Sequence, residues 1–278
     1  MLPHRRTPRS PSWQENSAFC QNSHSIAYGE AANLSTMPKK ETPRTDPPLQ
    51  VAMLLFNGLT ALDFIGPHTA FSAVGMDIHL VAENFDPVAS DTGISITPTA
   101  TFESCPARVD ILFVPGGAVH DVLLDKKTVD FVAERGASTS YVTSVCTGSL
   151  ILAAAGLLDG YRAATYWSAR EQLARLGIEV STERVCIDRN RFSGGGVTAG
   201  IDFGLTLVSE VLGEEAAKLA QLAMEYNPEP PFDAGSPEGA GPEAVVRFNR
   251  FAGQVNEAHA DAVSRVIEKR NAAKLASR

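Results

Sequence analysis

The chain predicts an α/β fold, a three-layer sandwich with helices on both faces of a mostly parallel sheet. Two observations carry that expectation. From Val51 onward, short continuous apolar runs alternate with longer stretches of helical period, and at residues 139–155 a β-rich run breaks at one cysteine and resumes as a small-residue, helix-like run. Strands buried on both faces read as unbroken apolar runs, and parallel neighbours need a crossover between them, usually a helix.

In chain order, residues 51–56 form the first strand and 62–74 a helix carrying Phe64, Ile65, Phe71 and Val74 inward. Further strands are predicted at 78–82, 111–114 and 141–145, with helices near 122–134 and 148–155. Shorter strands follow at 161–165 and 185–187, the latter joined to Arg191 and Phe192 by an Asp188-Arg189-Asn190 turn. Gly194-Gly195-Gly196 leads into helices at about 200–212 and 214–226, and a Pro/Gly-rich excursion over 227–242 precedes a terminal amphipathic helix to about 273. No internal repeat interrupts this plan.

Residues 1–47 are rich in Ser, Pro, Asn and charge without an apolar period and read as a disordered tail. The basic start, His4-Arg5-Arg6 with Arg9, lacks the apolar stretch of a secretory signal, and Met37 offers an alternative start. Residues 48–240 read as the catalytic domain and 241–278 as a C-terminal helical extension.

With 44% hydrophobic and 20% charged residues over 278 positions, the chain has the composition of a soluble globular protein with a sizeable core. A net charge of -8 argues against a general nucleic-acid surface. No apolar run approaches the roughly 20 residues of a membrane-spanning helix. Cys20, Cys105, Cys146 and Cys186 lack CxxC spacing, which disfavours a zinc cluster or a disulfide framework and suits a reducing cytoplasm. The six histidines form no HxxxH or HExxH arrangement, so metal chemistry is not expected.

Cys146 stands where strand gives way to helix. An elbow there lifts the side chain above the carboxyl end of the sheet, where the unpaired N–H groups of the helix favour thiolate over thiol. Free cysteine also packs as a small buried hydrophobe, so the elbow alone leaves nucleophile and packing readings open. The run Ile111 to Gly117 is a second buried strand ending in a glycine pair, Gly116 and Gly117, which offers either a turn or bare N–H groups for a developing negative charge.

Asp63, at the first strand–helix turn, either caps the helix or sits partly buried among Leu62, Phe64 and Ile65 with a raised pKa, available as an acid. Thr147 can supply a backbone N–H beside Gly117 and a hydroxyl to a ligand, or simply cap a helix. The triple glycine at 194–196 reads as tight packing, lacking the Lys and spacing of a phosphate loop. His68 and His120, near strand–helix turns, read as surface or packing histidines.

Together, SVCTGS at the elbow, FVPGG, GLTALDFIGP and GGGVTAGID resemble the ThiJ/PfpI superfamily over roughly residues 50–235. The resemblance implies a flavodoxin-like, class I glutamine amidotransferase-like fold. Within that superfamily, the first-turn Asp, the Cys-Thr pair and the run QLAMEY at 221–226 leading to PPFDAGSP at 230–237 resemble isonitrile hydratases. That implies hydration of an isonitrile to an N-substituted formamide without a metal or organic cofactor. Cys146 would attack the terminal carbon, Asp63 transfer protons and Thr147 assist positioning, with Gly116, Gly117 and Tyr166 at the oxyanion or substrate site. The expected partners are a small-molecule substrate and a second copy in a homodimer, with no nucleic acid or membrane.

One departure from the family pattern is Tyr166, in Ala164-Thr165-Tyr166-Trp167, where many members carry histidine. With a reference pKa of about 10, tyrosine donates a hydrogen bond but is a poor base at neutral pH, so a Cys–His dyad is not expected from that position. Three other readings share the fold. AraC-type regulators use it as a ligand-binding half but add a DNA-binding module, for which the chain after the core is short. A redox sensor would oxidise Cys146 selectively, and a glyoxalase-like enzyme would turn over methylglyoxal.

Overall fold

The computed structural model describes residues 45 and 47–276. The expected tail, its basic start and Met37 fall almost wholly outside the described residues.

Strand β1 (Gln50–Leu54) buries Val51, Ala52, Met53 and Leu54 completely, as its unbroken apolar run requires of a central parallel strand. It leads into α1 (Ala61–Ala73), then β2 (Asp77–Ala82), the two-residue strands β3 (Val88–Ala89), β4 (Ser95–Ile96) and β5 (Ala100–Thr101), and β6 (Ile111–Val114). Helix α2 (Lys126–Ser138), β7 (Tyr141–Val145) and α3 (Gly148–Ala154) complete the first half. Beyond them lie β8 (Arg162–Ala164), α4 (Arg170–Arg175), β9 (Glu179–Ser181), β10 (Val185–Asp188), β11 (Arg191–Gly194), α5 (Ala199–Leu212), α6 (Glu214–Ala223), the short α7 (Pro237–Ala240) and α8 (Pro242–Ala276).

The main sheet has seven strands in the order β10-β11-β7-β6-β1-β2-β5. Every neighbouring pair is parallel except the edge hairpin β10–β11, closed by the turn at 188–190. Two small ladders, β3–β4 antiparallel and β8–β9 parallel, stand apart from it. Helix α1 packs on α5 and α5 on α6, while α3 packs on β6, β7, α2 and α4, and α4 meets α8. The predicted α/β sandwich is therefore the architecture, with the carboxyl ends of β1, β6 and β7 side by side.

The core joins sheet to helices through rings. Phe71 of α1 meets Phe113 of β6 edge-on at 6.5 Å and Phe203 of α5 at 6.3 Å between centroids, and all three are fully buried. Truncating any one to alanine is expected to cost about 3–5 kcal/mol, read as a drop in unfolding midpoint.

Two expectations need correction. Helix α2 starts at Lys126 rather than near residue 122, because Asp125 caps it by accepting the N–H groups of Lys127 and Thr128, and the preceding apolar residues Val122 and Leu123 are buried in a turn. Ile65 was expected inward with Phe64, Phe71 and Val74, yet it is 40% exposed while those three are buried. Its neighbour Leu62 is equally open, since both lie on the outer side of α1. The excursion between α6 and α8 contains α7, started by Ser236, whose hydroxyl accepts the Gly239 N–H.

Helix α8 extends three residues past its expected end and contributes buried Ala262, Val263 and Val266 to the core. No helix among the described residues is long and apolar enough to cross a membrane.

Candidate active site

The elbow after β7 is a strained turn. Cys146 has φ 56°, the left-handed region that non-glycine residues rarely enter, and α3 begins two residues later. The strain is held by packing and hydrogen bonds from the neighbouring strand ends. The Cys146 N–H donates to the Gly194 carbonyl at 3.0 Å, while its own carbonyl accepts the hydroxyls of Ser149 at 3.1 Å and Thr165 at 3.0 Å. Cys146 as a residue is 5% exposed.

Asp63 faces it from α1. The capping reading fails, because Thr60 occupies the N-cap position and the Asp63 side chain turns inward to full burial. Its Oδ2 accepts the Gly116 N–H at 3.0 Å. Oδ1 is buried without a hydrogen-bond partner of its own among the described residues. Leaving such an atom unsatisfied costs free energy, and a protonated carboxyl or an incoming ligand would relieve it.

Burial pushes the Asp63 carboxyl up to about 7, against the lowering pull of hydrogen bonds to the Cys146 side chain and the Gly116 backbone, with the charge of Asp91 adding to the rise. The thiol of Cys146 is pushed well above its ordinary range, first by burial and then by the Asp63 charge, while the backbone and hydroxyl of Thr147 pull the other way. The helix start was expected to favour thiolate, but burial and the carboxylate outweigh it. The resting arrangement is a neutral thiol beside a carboxyl of shifted acidity, two groups that titrate as one system.

Gly116 and Gly117 lie against this pair. A Cβ on Gly116 would sit 2.7 Å from both Asp63 Oδ2 and the Cys146 Cβ, and one on Gly117, at φ 142°, would sit 2.3 Å from the Gly58 carbonyl. Thr147 Oγ1 both donates to the Gly117 carbonyl and accepts the Gly117 N–H, each at 2.9 Å. Both glycine N–H groups are thus engaged by side chains of the site, one by Asp63 and the other by Thr147, while the Thr147 backbone lowers the thiol pKa.

Tyr166 is half-buried, and its phenol is pushed up by burial, with the charges of Cys146 and Asp63 adding. It also lines a cavity of about 1040 Å³ whose walls include Trp167, Phe248, Arg170, Arg184 and Glu238. Phe248 of α8 meets Trp167 at 5.0 Å and Tyr166 at 6.3 Å between centroids. Arg184 pairs with Asp202 at 2.6 Å, and the Tyr226 hydroxyl donates to the same carboxylate at 3.0 Å, tying the end of α6 to the start of α5. Tyr166 thus lines the cavity and feels the charges of the reactive pair.

All six residues singled out in the sequence fall in this region. Trp167, Phe248 and a buried histidine on α8, His259, were not anticipated. For His259 the signal was available, since His259, Val263 and Val266 repeat at helical spacing and all are buried.

Comparison with known proteins converges on one family. An isonitrile hydratase from Pseudomonas putida is 49% identical over 200 residues, 71% of this chain and 87% of that protein. The HTH-type transcriptional regulator GbdR of Pseudomonas aeruginosa is 40% identical over 129 residues, which span 46% of this chain but 35% of the regulator. Among solved structures, a ThiJ/PfpI family protein from Pseudomonas syringae superposes with a TM-score of 0.78 at 41% identity, covering 84% of this chain and 99% of that one. The family model for DJ-1/PfpI matches residues 49–210, a span that holds both halves of the Asp63–Cys146 pair. The chain belongs to the DJ-1/PfpI family.

Proposed function

We propose that this chain hydrates isonitriles to N-substituted formamides through Cys146. The observation that carries the reading is the buried Cys146–Asp63 pair, a thiol beside a carboxyl of pKa about 7. The 49% identity to the Pseudomonas putida isonitrile hydratase supports it.

An isonitrile carbon, formally divalent, accepts a nucleophile and a proton in turn. The Cys146 thiol loses its proton to Asp63 as sulfur bonds to that carbon, and Asp63 returns the proton to the same carbon, giving the thioimidate Cys–S–CH=N–R. Water then adds across the C=N bond, Asp63 taking one water proton and passing it to nitrogen, and the remaining hydroxyl proton leaves for sulfur as the carbonyl forms. The C–S bond breaks, the sulfur recovers a proton, and HC(=O)–NH–R departs. One water is consumed and the enzyme is regenerated. Thr147, locked to Gly117, orients the elbow through these steps. The substituent R lies toward the cavity beside Tyr166, where Trp167 and Phe248 supply apolar walls.

A homodimer is part of the proposal. Leu222, Phe232 and Phe251 are 76%, 78% and 89% exposed on α6, the excursion and α8, an apolar display that a second copy would cover. Reduced Cys105, Cys146 and Cys186 fit a cytoplasmic setting.

The test is turnover of cyclohexyl isocyanide by the purified full chain, with loss of isonitrile and appearance of formamide followed together. Wild type should convert it, and Cys146→Ala should not. Inactivity of wild type across several isonitriles, or undiminished turnover by Cys146→Ala, contradicts the reading.

A further inference from the structure

We infer that His259, on helix α8, is a positioning residue for the Cys146–Asp63 pair, acting through the Gly116–Val119 loop. The loop leaves the end of β6 and carries the N–H groups that hold Asp63 and Thr147. On one side it is fixed to the first strand–helix turn: Thr60 N–H donates to the Gly116 carbonyl at 2.9 Å and Ala118 N–H to the Gly58 carbonyl at 3.0 Å. On the other side stands α8, separated from the loop by 140 positions in sequence, where His259 Nε2 accepts the Val119 N–H at 3.2 Å, a donor shared with the Gly117 carbonyl inside the loop at 3.0 Å.

The imidazole is suited to that task and to little else. His259 is 4% exposed, so it is not a surface histidine, and it does not line the cavity beside Tyr166. Burial, helped by the neighbouring His120 and opposed by the Gly117 backbone, lowers its pKa to about 4. The groups around it are His120, at 5.9 Å between ring centroids, and Asp121, which stands 3.8 Å from the His120 Nε2. A neutral ring that accepts at Nε2 carries its proton on Nδ1, and protonation at Nε2 would abolish the bond to Val119.

The consequence for chemistry follows from distance. Gly116 is three residues from Val119, and its N–H is one of the groups holding the Asp63 carboxyl down against the effect of burial. If the loop relaxes, that donor retreats, Asp63 becomes harder to ionise, and the thiol loses its proton acceptor near neutral pH. Misplacement of a reacting group by about 1 Å can cost on the order of a hundredfold in rate.

The test compares His259→Leu, which removes the acceptor, with His259→Gln, which restores a carbonyl oxygen of similar reach. Iodoacetamide labelling of Cys146, tracked by peptide mass against pH, reads the pair without assuming any substrate; kcat and KM for cyclohexyl isocyanide are read alongside. His259→Leu should move the labelling limb upward by at least half a pH unit relative to wild type and lower kcat about tenfold with little change in KM, and His259→Gln should recover most of both. Unchanged labelling and kcat in His259→Leu, with only the unfolding midpoint lowered, would reduce His259 to packing and overturn the inference. Should the leucine variant fail to fold, nitrogen NMR of wild-type histidine decides: the Nδ1–H tautomer supports the acceptor role, and the Nε2–H tautomer refutes it. Because labelling needs no isonitrile, failure of the hydratase reading and failure of this inference are distinguishable.

Discussion

Two glycine clusters follow β6 and β11, the strands that flank β7, on the same side of the sheet, and they do opposite things. At Gly116 and Gly117 there is no room for a side chain: an added Cβ would come within 2.7 Å of Asp63, Cys146 or the turn at 58–60. At the triple glycine the crowding fades along the chain. A Cβ added to Gly194 would sit 3.2 Å from Val145, whereas at Gly195 and Gly196 the nearest atoms to an added Cβ are 3.6 Å and 3.4 Å away, the latter belonging to Tyr166. The packing reading of the triple glycine therefore holds at Gly194 and weakens at the two that border the cavity. A glycine run signals close approach only where something approaches it. Here the first pair is pressed by the reactive groups, and the second cluster opens toward the space assigned to the substituent.

Breaking the crowded side should produce the largest effects. Asp63→Asn keeps the shape but removes the proton acceptor, and kcat/KM is expected to fall by about 10²–10⁴ with the protein still folded. Gly116→Ala forces Asp63 and the elbow apart; a loss of on the order of 10² in kcat/KM is expected, with a stability cost of about 1–3 kcal/mol in denaturant unfolding. By contrast, Gly195→Ala on the open side should change stability by no more than about 0.5 kcal/mol and leave kcat within a few-fold. Equal damage from the two alanine substitutions would dissolve the distinction.

The comparison sharpens further with pH. Asp63 has a carboxyl raised from 3.8 to about 7 in the folded protein, so ionising it costs stability: its contribution is complete below about 4 and is lost as pH rises through about 7. Asp63→Asn should therefore gain in melting temperature relative to wild type across that window. Activity moves in the other direction, because the carboxylate must take the thiol proton, and kcat/KM should climb with an apparent pKa near 7 that belongs to the pair. His259 works with the opposite sign. Its pKa falls from 6.5 to about 4 on folding, so its contribution is present above about 6.5 and is lost as pH drops toward 4. The smallest effect expected is a flatter acid limb of stability in His259→Gln, seen in melting temperatures between pH 6.5 and 4.

What was legible in the sequence was local. The main strands showed as apolar runs because central parallel strands bury both faces, and β1 and β6 do so completely. Cys146 and Gly116 were legible because each follows a strand end, and Asp63 because it lies in the first turn of the helix after β1. Strands β3, β4 and β5 have two residues each, too few for any period to register. The start of α2 was misjudged because Val122 and Leu123 are apolar for a buried turn rather than a helix face. Most hidden was what long-range packing brings: Phe248 and His259 reach the site region from α8, more than 100 positions beyond the elbow in the case of each. The direction of the Cys146 shift was also misjudged, since a helix start is visible in sequence and the burial that overrides it is not.

The central claim is that Cys146 becomes covalently bonded to the isonitrile carbon. Rapid acid quenching of enzyme mixed with excess cyclohexyl isocyanide, followed by peptide mass analysis, tests it most directly. The account predicts a peptide containing Cys146 heavier by the mass of one isonitrile, formed before formamide accumulates and absent in Cys146→Ala. Steady turnover with no adduct on Cys146 at any time would contradict it.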